Sequence, residues 1–462
     1  MFFWQIPFYI CAQISFNPFL YIHHIMSETP EKKKGIFKSF PRNFWTAIVM
    51  EFFERGSYYG VMSVLSVYLV LSTVDGGLGF SKSSVGVIKS TITPLLYFLP
   101  ILAGGLAERF GYRRTLFFAF GMLSLGYFLT SLATSYTLVF LSLIVMAIGA
   151  GFFKPIISGT IARVTNESNS GLGFGIFYWS INLGAFIFPL FLVPYVKSFG
   201  WSYIFVMAAI GTGSMLLLNL LVYKEPPRPD SSKSLSETLK GIVLVLKDYR
   251  FVLMIVIYSG FWILYFQMFD TVLWYLKEYM DMTPVNNAVN SFLGIFVDQP
   301  HWEFDAEHVT VINAGAIIIL QLLVSAIVRK TAALPTMIVG ITMGTIGMAI
   351  LAISTYSWVF VLGILIFSIG EMTAHPKFIS YVGLIAPPDK KALYLGYSFL
   401  YGVIGSGIGG ILGATLYVHF VDNLHKPSLL WIIFSLIGVA TIIGLLLYNR
   451  FLAPKRPGSE VL

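Results

Sequence analysis

A single cysteine, Cys11, stands in 462 residues. That leaves no internal disulfide and no thiolate cluster for a metal. Charge is equally scarce: Asp, Glu, Lys and Arg make up 11% of the chain, against 56% hydrophobic residues and a mean hydropathy of +0.79. Soluble domains carry roughly a quarter charged residues, so this composition cannot clothe a water-exposed surface of ordinary size. The apolar runs also lack the two-residue alternation of a transmembrane barrel strand. The seven histidines show no ligand-like spacing within an apolar run, and no Ser–His constellation accompanies them. Neither a catalytic residue nor a metal site is expected.

What the chain has in quantity is long apolar sequence. Twelve runs stand out, near 45–71, 85–105, 115–133, 137–162, 172–195, 201–223, 251–276, 309–328, 335–354, 358–386, 392–419 and 429–449. Each is near or above the ~20 residues that cross a bilayer as a helix, so the expected class is an all-α membrane protein with twelve transmembrane helices. With both termini placed in the cytoplasm, 22 of the 30 Lys and Arg residues fall on that side. Lys82, Lys197, Lys277 and Lys426 fall outside, and Arg55, Lys89, Lys154 and Lys377 lie within runs. The net charge of +8 is thus a topology signal and carries no nucleic-acid argument. The loop between the seventh and eighth runs holds Glu278, Asp281, Asp298, Glu303, Asp305 and Glu307, which suits the outer face.

The runs divide into two sets of six. The expected organisation is an arm at 1–44, a six-helix bundle at 45–223, a basic cytoplasmic linker at 224–250, a second bundle at 251–451 and a cytoplasmic tail at 452–462. Within the linker, residues 235–246 read as an amphipathic stretch. Residues 1–25 are apolar and aromatic without a basic leader, and Met26 opens an ordinary cytoplasmic start. A start codon assigned too early and a genuine interfacial segment both fit. Two such bundles point to a rocking transporter with its site between the halves.

The loop Gly104-Gly105-Leu106-Ala107-Glu108-Arg109-Phe110-Gly111-Tyr112-Arg113-Arg114 joins the second and third runs. Its glycines allow close helix approach, and its Glu/Arg cluster can latch neighbouring helix ends. It resembles the loop motif of the major facilitator superfamily, with Glu108 where that motif usually has Asp, and implies the superfamily fold. Small residues at Gly149 and Gly151, and from Gly402 to Gly413, read as close helix packing.

The first run carries Glu-Phe-Phe-Glu-Arg-Gly-Ser-Tyr-Tyr-Gly at 51–60. A charge at the bilayer centre costs at least ~2.5–3.5 kcal/mol, so ionisable groups there are read as functional. Glu51, Glu54, Arg55, Tyr58 and Tyr59 share one helical face, with Glu51 one turn before Arg55 in the favourable order for an ion pair. A proton and substrate site facing a cavity is the preferred reading; a tethering ion pair is the plainer one.

Two further motifs join it: Gly151-Phe152-Phe153-Lys154-Pro155, and Phe177-Tyr178-Trp179-Ser180-Ile181-Asn182-Leu183-Gly184. Together they closely resemble the proton-dependent oligopeptide transporter family, from about Trp45 to Tyr448. The resemblance implies proton coupling through Glu51, Glu54, Arg55 and Lys154. It implies substrate binding by Arg55, Tyr58, Tyr59, Lys154, Asn182, Asn313 and Glu371, with the peptide carboxylate toward Arg55 and Lys154 and its amine toward Glu371. A planar, always-charged guanidinium suits a carboxylate. Plainer readings stand beside these: Lys154 snorkelling, Asn182 as an interhelical amide, Glu371 as a partner of Lys377.

The departures are informative. Phe266 and Met62 stand where relatives often place a salt-bridged acid and arginine, so an outer gate is expected to have become apolar. Asp270, one turn on, either replaces the lost acid or caps a helix. Lys89, His375 and Lys377 have no matching family residue, although Lys89 stands close to an animal histidine. The implied function is a proton-coupled symporter importing di- and tripeptides by alternating access. Peptide, protons and the lipid bilayer are its partners, and the proton gradient drives it without a cofactor. A functional monomer in the plasma membrane, a bacterial inner membrane, is implied. Arg55 and Lys154 would bind any carboxylate, so an amino acid, nitrate or a peptide-like drug is the alternative cargo.

Overall fold

The computed structural model describes residues 39–166, 168–227 and 235–453. The two readings of residues 1–25 lie outside these. The long helices are α1 (Arg42–Met62), α2 (Lys82–Phe110), α3 (Tyr112–Leu132), α4 (Tyr136–Val164), α5 (Ser170–Lys197) and α6 (Ser202–Leu221). The second set is α7 (Tyr249–Tyr279), α8 (Ala306–Val328), α9 (Ala333–Ile350), α10 (Ser357–Ile385), α11 (Leu393–Asn423) and α12 (Pro427–Phe451). Eleven of these are long and apolar enough to cross a membrane; α1 has the length, 21 residues, but carries Glu51, Glu54 and Arg55. The linker forms a helix at Leu235–Leu246, and a short helix, Thr283–Leu293, lies in the loop between α7 and α8.

Helix starts are set by side chains that accept otherwise unpaired backbone N–H groups. Ser81 caps α2 through the N–H of Ser84 at 3.1 Å, and Asp248 caps α7 through Arg250 and Phe251 at 3.2 Å. At α8, Asp305 Oδ1 accepts from the Ala306 N–H at 2.7 Å, and His308 Nδ1 accepts from the Asp305 N–H at 2.9 Å.

Three of the expected continuous spans are broken, the run at 392–419 at Ser398–Phe399. The run at 45–71 stops at Ser63–Val64 and resumes as Leu65–Val70; the run at 251–276 stops after Gln267 and resumes as Thr271–Tyr279. These are the first helices of the two halves, interrupted at matching places. Near their outer ends α5 and α11, also matching helices, each widen into a π turn, at Phe188–Leu192 and Val418–Asn423. Irregular backbone is tolerated inside a membrane only where protein or a cavity covers it, so these four places mark the interior seam.

Each half packs on itself, α1 with α5 and α6, α3 with α4 and α6, α9 with α10 and α12. The halves meet chiefly along α2–α11 and α5–α8. At the first seam the Ser90 hydroxyl accepts from the Ile411 N–H at 2.7 Å, because Gly410 has no side chain: a Cβ there would lie 2.6 Å from Ser90 Oγ. Between α9 and α10, a Cβ on Gly370 would meet the Gly340 carbonyl and the Gly344 nitrogen, each at 2.5 Å.

Gly370→Val forces two backbones apart and is expected to destabilise by about 2–3 kcal/mol. A lowered thermal unfolding midpoint in detergent measures it. Gly383→Ala, where a Cβ meets nothing within 4 Å, is the control and is expected to leave the midpoint unchanged.

Candidate functional site

The break after α1 places its charged face in the centre of the molecule. Glu51, Glu54 and Arg55 are each 0–1% exposed. The expected Glu51–Arg55 pair is not the primary one. Arg55 turns its fork onto its sequence neighbour, Nε at 2.5 Å from Glu54 Oε2 and Nη2 at 2.6 Å from Oε1, and Glu51 stands off at 3.8 Å. The reason is geometric: a planar guanidinium satisfies two donors at once against one carboxylate. Both oxygens of Glu51 then have no hydrogen-bond partner among the described residues. The Arg55 guanidinium also lies 4.8 Å from the Tyr58 ring centroid.

A small cavity of about 30 Å³ lies beside this cluster. The first half supplies Tyr58, Tyr59, Met62, Lys89, Thr93, Tyr97 and Lys154; the second supplies Tyr265, Phe266 and Phe269. Lys154 lies 5.7 Å from the Tyr97 ring centroid and within electrostatic range of Arg55, Glu54 and Glu51. Its ammonium faces the cavity wall, so the snorkelling alternative does not describe its position.

In the second half Glu371 accepts from Asn313 Nδ2 at 3.1 Å, and Asn313 also donates to Ser368 at 2.9 Å. The other Glu371 oxygen has no partner among the described residues. Lys377 is not its partner: that ammonium donates to the Thr331 carbonyl, just past the end of α8, at 2.7 Å. Asn182 donates within its own helix, to the Tyr178 carbonyl at 3.0 Å. These three polar residues do not line the cavity beside Arg55. His375, one turn past Glu371, packs among Trp262, Phe378 and Tyr401, with Tyr258 Oη 3.3 Å from its Nδ1.

At the place expected to be apolar, the alternative in which Asp270 replaces the lost acid describes the contacts better. Met62 and Phe266 do line the cavity, but a new ion pair joins the halves beside them: Lys89 Nζ lies 3.0 Å from Asp270 Oδ1. Asp270 sits at the break in α7, and its side chain caps no helix. The Ser66 hydroxyl, just past the break in α1, lies 2.6 Å from the same oxygen and 2.5 Å from the Phe269 carbonyl, and its one proton serves either. Trp274 Nε1 donates to the Ser66 carbonyl at 2.9 Å. Both interruptions therefore exist where the two halves trade hydrogen bonds.

Two ion-pair clusters at the helix ends were not legible in the sequence. Lys82, at the start of α2, pairs with Glu278 and Asp422, each at 2.7 Å. Lys197, at the end of α5, pairs with Asp305 at 2.9 Å and Glu307 at 2.5 Å. Burial alone disfavours the Asp305 charge, but the Lys197 and Lys277 ammoniums outweigh it and hold the carboxyl down at about 2. Partners more than 100 residues apart leave no local pattern to find.

The loop at 104–114 latches one half together. Glu108 pairs with Arg163 and accepts from Tyr112 Oη at 2.9 Å. Arg113 donates to the Leu220 carbonyl at 2.6 Å, and Glu225 accepts from the Tyr112 and Arg113 N–H groups at 2.7 Å. Glu225 and Arg163 had no signal of their own.

The family model described as Major Facilitator Superfamily matches residues 44–397. The chain belongs to that superfamily. Among individual proteins it is similar to the uncharacterized transporter YclF of Bacillus subtilis (strain 168), with 33% identity over 48% of this chain and 46% of that one. It is also similar to a di-/tripeptide transporter of Lactococcus lactis subsp. lactis (strain IL1403), with 32% identity over 51% and 48%. The chain thus spans about half the length of the curated relatives it matches. Among solved structures, a peptide transporter POT in complex with sulfate superposes with a TM-score of 0.74 at 20% identity, over 93% of this chain and 97% of that one. A POT family transporter in complex with 5-aminolevulinic acid gives 0.71 at 23%, over 89% and 96%. These structures share the superfamily fold, and the motif-based resemblance to oligopeptide transporters is borne out by the relatives.

Lys89–Asp270 is a bond that must break when the halves part at this face. Asp270→Asn and Lys89→Gln are each expected to speed labelling of a Thr93→Cys cavity probe, in a Cys11→Ser background, by a membrane-impermeant thiol reagent. The double variant is expected to label no faster than either single one, a coupling of about 1–3 kcal/mol. Additive rates would mean that the two groups do not hold the gate together.

Proposed function

We propose that this multi-pass membrane protein is a proton-coupled symporter that imports di- and tripeptides by alternating access. The observation that carries the reading is the buried Glu54–Arg55 pair beside a cavity between the halves, with an under-partnered Glu371 in the opposite half. Relatives named di-/tripeptide transporters support it. Protons and a small peptide are the partners, a single chain is the working unit, and the plasma membrane is the location, with both termini cytoplasmic. No cofactor is needed, because the gradient supplies roughly 2.3 kcal/mol per charge per 100 mV. That drives about fifty-fold accumulation per proton.

The geometry suggests how coupling works. While Glu54 is ionised it occupies both arms of the Arg55 fork. A proton arriving at Glu54, or passed from the unpartnered Glu51, releases the fork to a substrate carboxylate, with Lys154 nearby as a second cation. The peptide amine would pair with Glu371, one of whose oxygens has no partner among the described residues. With substrate and proton both in place the buried charges are compensated, and the halves can rock without stranding a bare ion in a low-dielectric interior.

Glu54→Gln is expected to abolish proton-driven accumulation of a labelled dipeptide in liposomes while leaving counterflow exchange partly intact, since exchange moves no net proton. Full accumulation at normal expression would remove Glu54 from the proton path.

Glu371 separates peptides from simple anions. Glu371→Gln is expected to weaken a free dipeptide at least tenfold more than its N-acetylated analogue, read by competition on wild type and variant as a double-mutant cycle. Equal losses for both ligands would move the reading to another carboxylate cargo.

A further inference from the structure

The cavity beside Arg55 is electrostatically lopsided. Its first-half wall presents two ammonium groups, Lys154 and Lys89, and its second-half wall is aromatic: Tyr265, Phe266 and Phe269. No carboxylate lines it. A single substrate carboxylate, shared between Arg55 and Lys154, leaves Lys89 without a role in binding.

Lys89 is 6% exposed, and its ion-pair partner is one oxygen of Asp270, at 3.0 Å. An ammonium has three donors, and this contact uses one direction. The same Asp270 oxygen lies 2.6 Å from the Ser66 hydroxyl. If another carboxylate reached Lys89 once the small cavity had widened to admit it, Lys89 would keep a counter-charge and Asp270 would gain the Ser66 proton it now shares with the Phe269 carbonyl. The exchange swaps one buried carboxylate for another, so no bare cation is left in the interior at any stage.

We propose that Lys89 is a second carboxylate subsite, which makes the protein prefer peptides with an acidic side chain, bound by displacing Asp270 from the ammonium. The inference rests on the peptide reading above and narrows it to a substrate class. It also ties recognition to opening. An acidic side chain that draws Lys89 away from Asp270 loosens the contact between α2 and α7 that closes this face. A neutral peptide leaves that contact in place and must rely on thermal opening.

The test is binding to the purified full chain, by thermal stabilisation and calorimetry, of isosteric pairs: Glu-Ala against Gln-Ala, and Ala-Glu against Ala-Gln. In wild type at least one acidic member is expected to bind about tenfold more tightly than its amide, the worth of one added charge-assisted hydrogen bond. Lys89→Gln is expected to erase that ratio. Asp270→Asn removes the competitor and is expected to increase it. Equal binding of acid and amide in wild type, or a preference that survives Lys89→Gln, overturns this proposal and leaves the peptide reading standing. Failure of all four peptides to bind a folded, monodisperse wild-type protein overturns the peptide reading and the subsite with it.

Discussion

A charged group inside a hydrocarbon layer must bring its counter-charge or its hydrogen bonds with it. Arg55 brings Glu54, Lys89 meets Asp270, Lys377 reaches the Thr331 carbonyl just past α8, and Glu371 leans on Asn313. These solutions fall into two mechanical kinds. Arg55–Glu54 and Glu371–Asn313 lie within one half and survive any rigid rotation of the halves. Lys89–Asp270 crosses between halves and does not. In the proposed cycle, chemistry that resets ligand affinity would belong to the first kind, and control of access to the second.

The backbone follows the same division. Helices α1 and α7 lose regularity where Ser66, Asp270 and Trp274 exchange bonds across the seam, and α5 and α11 widen before they deliver Lys197 and Asp422 to it. The remaining interruption, at Ser398–Phe399 in α11, is likewise covered, with Ser398 fully buried, because a lipid-facing break would leave peptide groups with no donor or acceptor to meet. The packing inside each half is backbone-close where α9 meets α10, as Gly370 against Gly340 shows.

Much of this was legible in the chain. Apolar length set the spans, the cluster at 51–60 located the charged face, and the loop at 104–114 foretold a latch. Within single helices, spacing is information. It misled at Glu51, where i, i+4 geometry favoured a pair that the guanidinium fork gave instead to its neighbour Glu54. It was silent on the breaks at Ser63 and Met268, where neither proline nor glycine interrupts the apolar pattern. Lys89 and Asp270, 181 positions apart, read as two isolated oddities until the fold made them one contact.

The bridging ion pairs share a sign. Lys82, Lys89 and Lys197 all belong to the first half; their partners Glu278, Asp422, Asp270, Asp305 and Glu307 all belong to the second. Among the described residues the seam is therefore charge-segregated, and two copies of either half brought together by this same face would set like charges against each other.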